Sequence, residues 1–157
     1  MKLYCVRHGE AETSDINPER PLTEQGQIDV ETVARFMGES GLHIDQMFYS
    51  PKKRATETAM IFAKYLQADQ VAECEPLLDE QNDVEPLVHL IPTWSQDTML
   101  VGHLPFMYKL ISALVLGKPE YYPIVNYPPG TVVCLDRYNN ERWIISWLLS
   151  PEMVPGR

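Results

Sequence analysis

The sequence predicts an α/β fold: a mainly parallel central sheet flanked by helices on both faces, with an antiparallel C-terminal hairpin. Three observations lead there. Four short apolar runs rich in β-formers are each followed by a segment of helical character. Three of those runs stop at a polar or glycine-containing loop, as buried parallel strands do. Two further runs, Thr131 to Leu135 and Trp143 to Leu149, alternate around the turn residues Asn139 and Asn140.

The first strand is Lys2 to Val6, ending at Arg7-His8-Gly9. A polar loop through Asn17-Pro18-Glu19-Arg20-Pro21 follows, and Thr23 is placed to cap the next helix. Ile28, Val30, Val33, Ala34 and Met37 give that helix its apolar face, Gly26 weakens its first turns, and Gly38 and Gly41 end it. The second strand is Gln46 to Tyr49. Ser50 is read as a cap and Pro51 as the first residue of a helix through about Leu66. Val71 to Cys74 is the third strand, followed by the acidic loop Leu78-Asp79-Glu80-Gln81-Asn82-Asp83 and a short helix from Val84 to Ile91. Thr98 to Val101 is the fourth, stopping at Gly102-His103 before a helix from Pro105 to Leu116. Trp143 and Trp147, spaced for one strand face, read as core.

At 157 residues the chain is expected to be one domain, residues 1–157, with a self-sufficient core. The Met1 end carries no secretory-type apolar region, so the mature chain is expected to start there. Cys5, Cys74 and Cys134 cannot all pair and show no Cys-x-x-Cys spacing; reduced core thiols and a cytoplasmic location follow as expectations. A formal charge of -9 with no long basic run argues against nucleic acid and anionic membranes as partners. A positive pocket in such a chain has to be local, which makes the few arginines informative.

Ligands of parallel α/β sheets bind beyond the carboxyl ends of the strands. Three strands deliver polar groups there: Arg7-His8-Gly9, Ser50 through Arg54, and Gly102-His103. A neutral imidazole is a phosphoryl-accepting nucleophile when arginine forks hold the equatorial oxygens. Cations beside it also disfavour imidazolium. Each residue alone has an ordinary reading as a loop or helix-face group; the joint placement at successive strand ends favours catalysis.

Four segments, Val6-Arg7-His8-Gly9-Glu10-Ala11, Arg20-Pro21-Leu22-Thr23-Glu24-Gln25-Gly26, Ser50-Pro51-Lys52-Lys53-Arg54-Ala55-Thr56-Glu57-Thr58-Ala59 and Val101-Gly102-His103-Leu104-Pro105, resemble the histidine phosphatase (phosphoglycerate mutase-like) superfamily. They cover the first two thirds of the chain in the family's order. The short length and the Arg20 segment are most similar to its SixA-type phosphohistidine phosphatase branch.

The resemblance implies that His8 is phosphorylated while Arg7, Arg54 and His103 bind phosphoryl oxygens. It implies that Gly9 leaves room for the group and orients the ring. Arg20 either lines the pocket or is a salt-bridged loop residue, and Glu10, with Glu12, is either a pocket-edge group or solvated. The expected activity is a metal-independent, cofactor-free phosphohydrolase acting through a phosphohistidine intermediate on protein phosphohistidine. The alternatives are a phosphatase of small phosphate esters and a non-catalytic phospho-ligand binding module. No residue of the loop holding Asp79, Glu80 and Asp83 stands in a mutase-type arrangement for protonating the leaving group. The loop of Tyr121, Tyr122 and Tyr127 either walls a protein-docking surface or packs on the sheet.

Overall fold

The computed structural model describes residues 1–78, 81–120, 123–140 and 142–156. Six strands form one sheet: β1 (Lys2–Arg7), β2 (Gln46–Tyr49), β3 (Gln70–Glu73), β4 (Thr98–Gly102), β5 (Val132–Arg137) and β6 (Trp143–Leu149). Their spatial order is β3-β2-β4-β1-β5-β6. The first four are mutually parallel, while β5 runs antiparallel to β1 and β6 antiparallel to β5.

Alternation along the strands sorts the core into two layers. Leu3 and Cys5 of β1, with Leu100 and Val133, pack against α3 (Glu85–Leu90) and α4 (Phe106–Leu116). Tyr4 and Val6, with Met47, Met99 and Cys134, pack against α1 (Glu24–Glu39) and α2 (Lys53–Leu66). Helices therefore cover both faces, and β4, buried along its whole length, reads as an unbroken apolar run for that reason. No helix among the described residues is long and apolar enough to cross a membrane. Cys5, Cys74 and Cys134 are free thiols.

Local chemistry explains the helix ends. Thr23 caps α1, its Oγ1 accepting from the Gly26 amide at 2.9 Å. At the other end the Gly41 and Leu42 amides return to the carbonyls of Gly38 and Met37, a closure that needs the left-handed φ of 82° at Gly41.

Four details depart from the sequence reading. Ile28 is 49% exposed and belongs to the solvent face of α1. Ser50 and Pro51 precede α2 instead of opening it, because the Ser50 amide still donates to Val101 on the sheet ladder and keeps the chain extended. The third strand is set one residue earlier than expected. Trp143 and Trp147 lie on opposite faces, one in each core layer. A bulge between Cys134 and Leu135 causes this: Cys134 pairs with Trp147 but Leu135 with Ile145, so the intervening residue of β6 inverts the alternation.

Candidate active site

The register of three neighbouring strands brings the polar loops together. Arg7 pairs with Gly102, and the His8 amide donates to the Gly102 carbonyl at 3.0 Å, so the residues following β1 and β4 leave the sheet side by side. Tyr49 pairs with Val101, which sets Ser50 and the start of α2 on the other flank of β4. Because β5 runs the other way, its beginning arrives at the same edge: the Arg7 amide donates to Thr131, and the Gly130 amide to the carbonyls of Arg7 and His8.

His8 is 7% exposed, with Nδ1 2.7 Å from the Gly9 carbonyl oxygen. A carbonyl only accepts, so Nδ1 carries the proton and the Nε2 lone pair is free. Burial, opposed by that hydrogen bond and reinforced by Arg54, Arg7 and His103, lowers the His8 pKa to about 4. The imidazole is therefore neutral near pH 7. His103 is half-buried and uses the same device: its ring bonds to the Leu77 backbone while Nε2 has no protein partner. Burial, then Arg54 and Lys52, lower its pKa, against the opposing effect of the Leu77 bond.

Arg7 donates through Nη1 to the Tyr127 carbonyl at 2.8 Å, and the Tyr127 hydroxyl donates to Cys5 at 2.6 Å. Tyr127 is thus packed on the sheet as a brace for Arg7; Tyr121 and Tyr122 lie outside the described residues. Arg54 sits in the first turn of α2. Burial, and then Arg20, make its charge harder to hold, and burial acts likewise on Arg7. Thr58 links the two halves, its Oγ1 accepting from the Gly9 amide at 3.0 Å and donating to the Arg54 carbonyl at 2.7 Å.

Among the described residues, the buried side-chain nitrogen and oxygen atoms without a partner are Arg7 Nε, Arg54 Nε, His103 Nε2 and Thr131 Oγ1. All four belong to this one edge of the sheet. An orphaned buried polar group costs roughly 1–3 kcal/mol, and three of the four, the two arginine Nε–H groups and the Thr131 hydroxyl, are donors that an acceptor-rich group would satisfy.

The remaining predicted residues have distinct placements. Gly9 gives room to the protein: a Cβ there would stand 2.6 Å from Val30 Cγ2 and 3.1 Å from the Gly26 carbonyl oxygen of α1. Its carbonyl orients the His8 ring. Glu10 turns to α1, where its carboxylate accepts from the Thr23 hydroxyl at 2.9 Å. Arg20, with φ of 50°, donates from Nε to the Glu12 carbonyl and joins Arg54 in lining one cavity. Asp83 accepts from the Glu85 amide at 3.1 Å, while Asp79 and Glu80 fall outside the described residues. Sequence reasoning missed Thr58, Tyr127 and Thr131 as parts of the site. Thr58 lay within a quoted segment at helical spacing from Arg54; the other two carried no local signal. The metal-capable group His43, Asp45 and Asp69 lies where β2 and β3 begin, at the opposite end of these strands from His8, Arg54 and His103.

A family model described as histidine phosphatase superfamily (branch 1) matches residues 3–85. The phosphohistidine phosphatase SixA of Escherichia coli (strain K12) is 25% identical over 96% of this chain and 94% of its own. The structure of the protein histidine phosphatase SixA complexed with tungstate superposes with a TM-score of 0.82 at 20% identity, covering 96% of this chain and 97% of that one. An alpha-ribazole phosphatase from Shigella flexneri superposes with a TM-score of 0.72 at 17% identity, with 96% and 97% covered.

Proposed function

The chain belongs to the histidine phosphatase superfamily, and on that premise we propose that it removes phosphate from protein phosphohistidine through a phosphorylated His8. The observation that carries this reading is the neutral His8 ring beside the unpartnered nitrogens of Arg7, Arg54 and His103. The similarity to SixA supports the choice of substrate class.

In the first step His8 Nε2 attacks phosphorus in line, and the bond from phosphorus to the substrate's imidazole nitrogen breaks toward that nitrogen. A substrate ring protonated on its other nitrogen leaves as neutral imidazole, so no protein acid is required. Arg7 and Arg54 hold the equatorial oxygens, and His103 Nε2 joins them as a donor once the bound phosphoryl charge draws a proton onto it. In the second step water attacks phospho-His8. The proton stays on Nδ1, donated to the Gly9 carbonyl throughout, so His8 also departs as neutral imidazole, and the water proton passes to phosphate or solvent. The same hydrogen bond that frees Nε2 for attack makes it a good leaving group. A phosphate ester, by contrast, releases an alkoxide that needs an acid, and Asp83 is engaged with Glu85.

Rapid-quench reaction with radiolabelled phosphohistidine protein and with sugar phosphates tests the proposal. Label is expected on His8, activity persists in a chelator, and His8→Ala loses about a thousandfold or more in kcat/KM. Turnover by His8→Ala at the wild-type rate refutes the nucleophile, and faster turnover of the esters refutes the substrate class.

A further inference from the structure

Resting on the reading above, we infer that the groove lined by Arg20, Lys52, Lys53 and Arg54 receives an acidic segment of the protein substrate beside its phosphohistidine. This cavity of about 560 Å³, walled also by Pro18 and Pro51, opens at the residues that begin α2. Arg54 belongs to both the groove and the phosphoryl pocket, so a segment lying in one is continuous with a group held in the other.

Three features make the groove unusual. It concentrates four cations in a chain of formal charge -9. Lys52, Lys53 and Arg54 stand at the beginning of α2, which has no side-chain cap and no acidic residue in its first turn. The macrodipole favours anions there and is opposed by cations, so the arrangement costs stability in the free protein. Finally, Arg20 is held in the left-handed region at φ 50° by its amide bond to Asn17 and by its Nε bond to Glu12, which brings a second guanidinium toward Arg54. Backbone strain and like-charge crowding converge on the same small volume.

Internal pairing offsets little of this charge. Glu19 neutralises Lys53 at 2.9 Å, whereas among the described residues no carboxylate lies within ion-pair distance of Arg20, Lys52 or Arg54. Rigid proline walls, the exposed Lys52 and the half-buried Arg20 and Arg54 suit an extended segment carrying carboxylates, which complete a largely uncompensated charge set.

Phosphohistidine peptides with Glu or with Gln on both sides of the phosphorylated residue provide the test. At low salt the Glu peptide is expected to have about tenfold higher kcat/KM, and the ratio to fall toward unity at high salt. An Arg20→Gln/Lys52→Gln protein loses the ratio, whereas Lys64→Gln, which removes one charge elsewhere on α2, retains it. Equal rates for the two peptides in wild type, or a ratio retained by the double variant, overturns the groove and leaves the phosphatase reading standing. Failure to hydrolyse either peptide overturns the phosphatase reading itself.

Discussion

Protonating His8 should destabilise the protein, and the size of the effect follows from its surroundings. The ring is buried, faces Arg54, Arg7 and His103, and has a pKa of about 4 against 6.5 for an ordinary histidine. Above 6.5 the ring is neutral in both folded and unfolded chains and contributes no pH dependence. As pH falls from 6.5 toward 4 only the unfolded chain takes up the proton, so stability is lost across that window and levels off below it. Between about pH 7.5 and about pH 4.5 the loss comes to roughly 2.5 kcal/mol. Urea denaturation of wild type and of His8→Gln at the two pH values isolates it, since the carboxylates titrate in both proteins. Wild type is expected to lose roughly 2–3 kcal/mol more than the variant. A difference below about 1 kcal/mol, or one of opposite sign, would refute the claim that burial and neighbouring cations keep this ring neutral.

Two substitutions test the supports of the site. Gly26→Ala places a Cβ 2.1 Å from the Glu10 carbonyl oxygen and 3.0 Å from its carbon and nitrogen, all backbone atoms. Despite the usual gain of up to about 1 kcal/mol from alanine in a helix, urea denaturation should show a net loss of roughly 2–3 kcal/mol; a neutral or stabilised variant contradicts the packing. Thr58→Val leaves the buried Gly9 amide without its partner, at a cost of roughly 1–3 kcal/mol. Its kcat should fall while KM changes little, with Thr58→Ser restoring both stability and kcat. Unchanged kcat in the valine variant would mean that Thr58 does not position the His8–Gly9 turn.

Much of this was legible in the sequence because burial leaves a simple mark. β1 and β4 are covered on both faces and read as apolar runs, and the edge at which they end could be inferred from the parallel order alone. Arg7, His8, Arg54 and His103 could be singled out because each lies at or soon after the end of a strand. The supports were harder to see. Thr58 and Tyr127 act through bonds to Gly9 and Arg7, residues distant in sequence, and Thr131 enters from the one strand of the site that runs backwards. Gly26 looked like a defect in α1, whereas its missing side chain lets the chain at Glu10 lie against the helix. The bulge that separates Trp143 from Trp147 has no residue signature, since it arises from the pairing of two strands.

Both site histidines fix Nδ1 on a backbone carbonyl and leave Nε2 free, so ring orientation alone does not assign their proposed roles. Their surroundings do. His8 is almost fully buried and faces two arginines and a second histidine, which makes it the ring that resists protonation and keeps a lone pair. His103 is half-buried and faces Arg54 and Lys52. A phosphoryl dianion bound between them favours a proton on whichever ring accepts it more readily. In the proposed reaction that ring is His103, the donor to the transferring group, while His8 is the nucleophile. The cations therefore act twice: without substrate they keep both rings neutral, and with the phosphoryl group bound its charge outweighs theirs first at the more accessible ring. An environment matched at the two positions would protonate both rings together and extinguish the nucleophile.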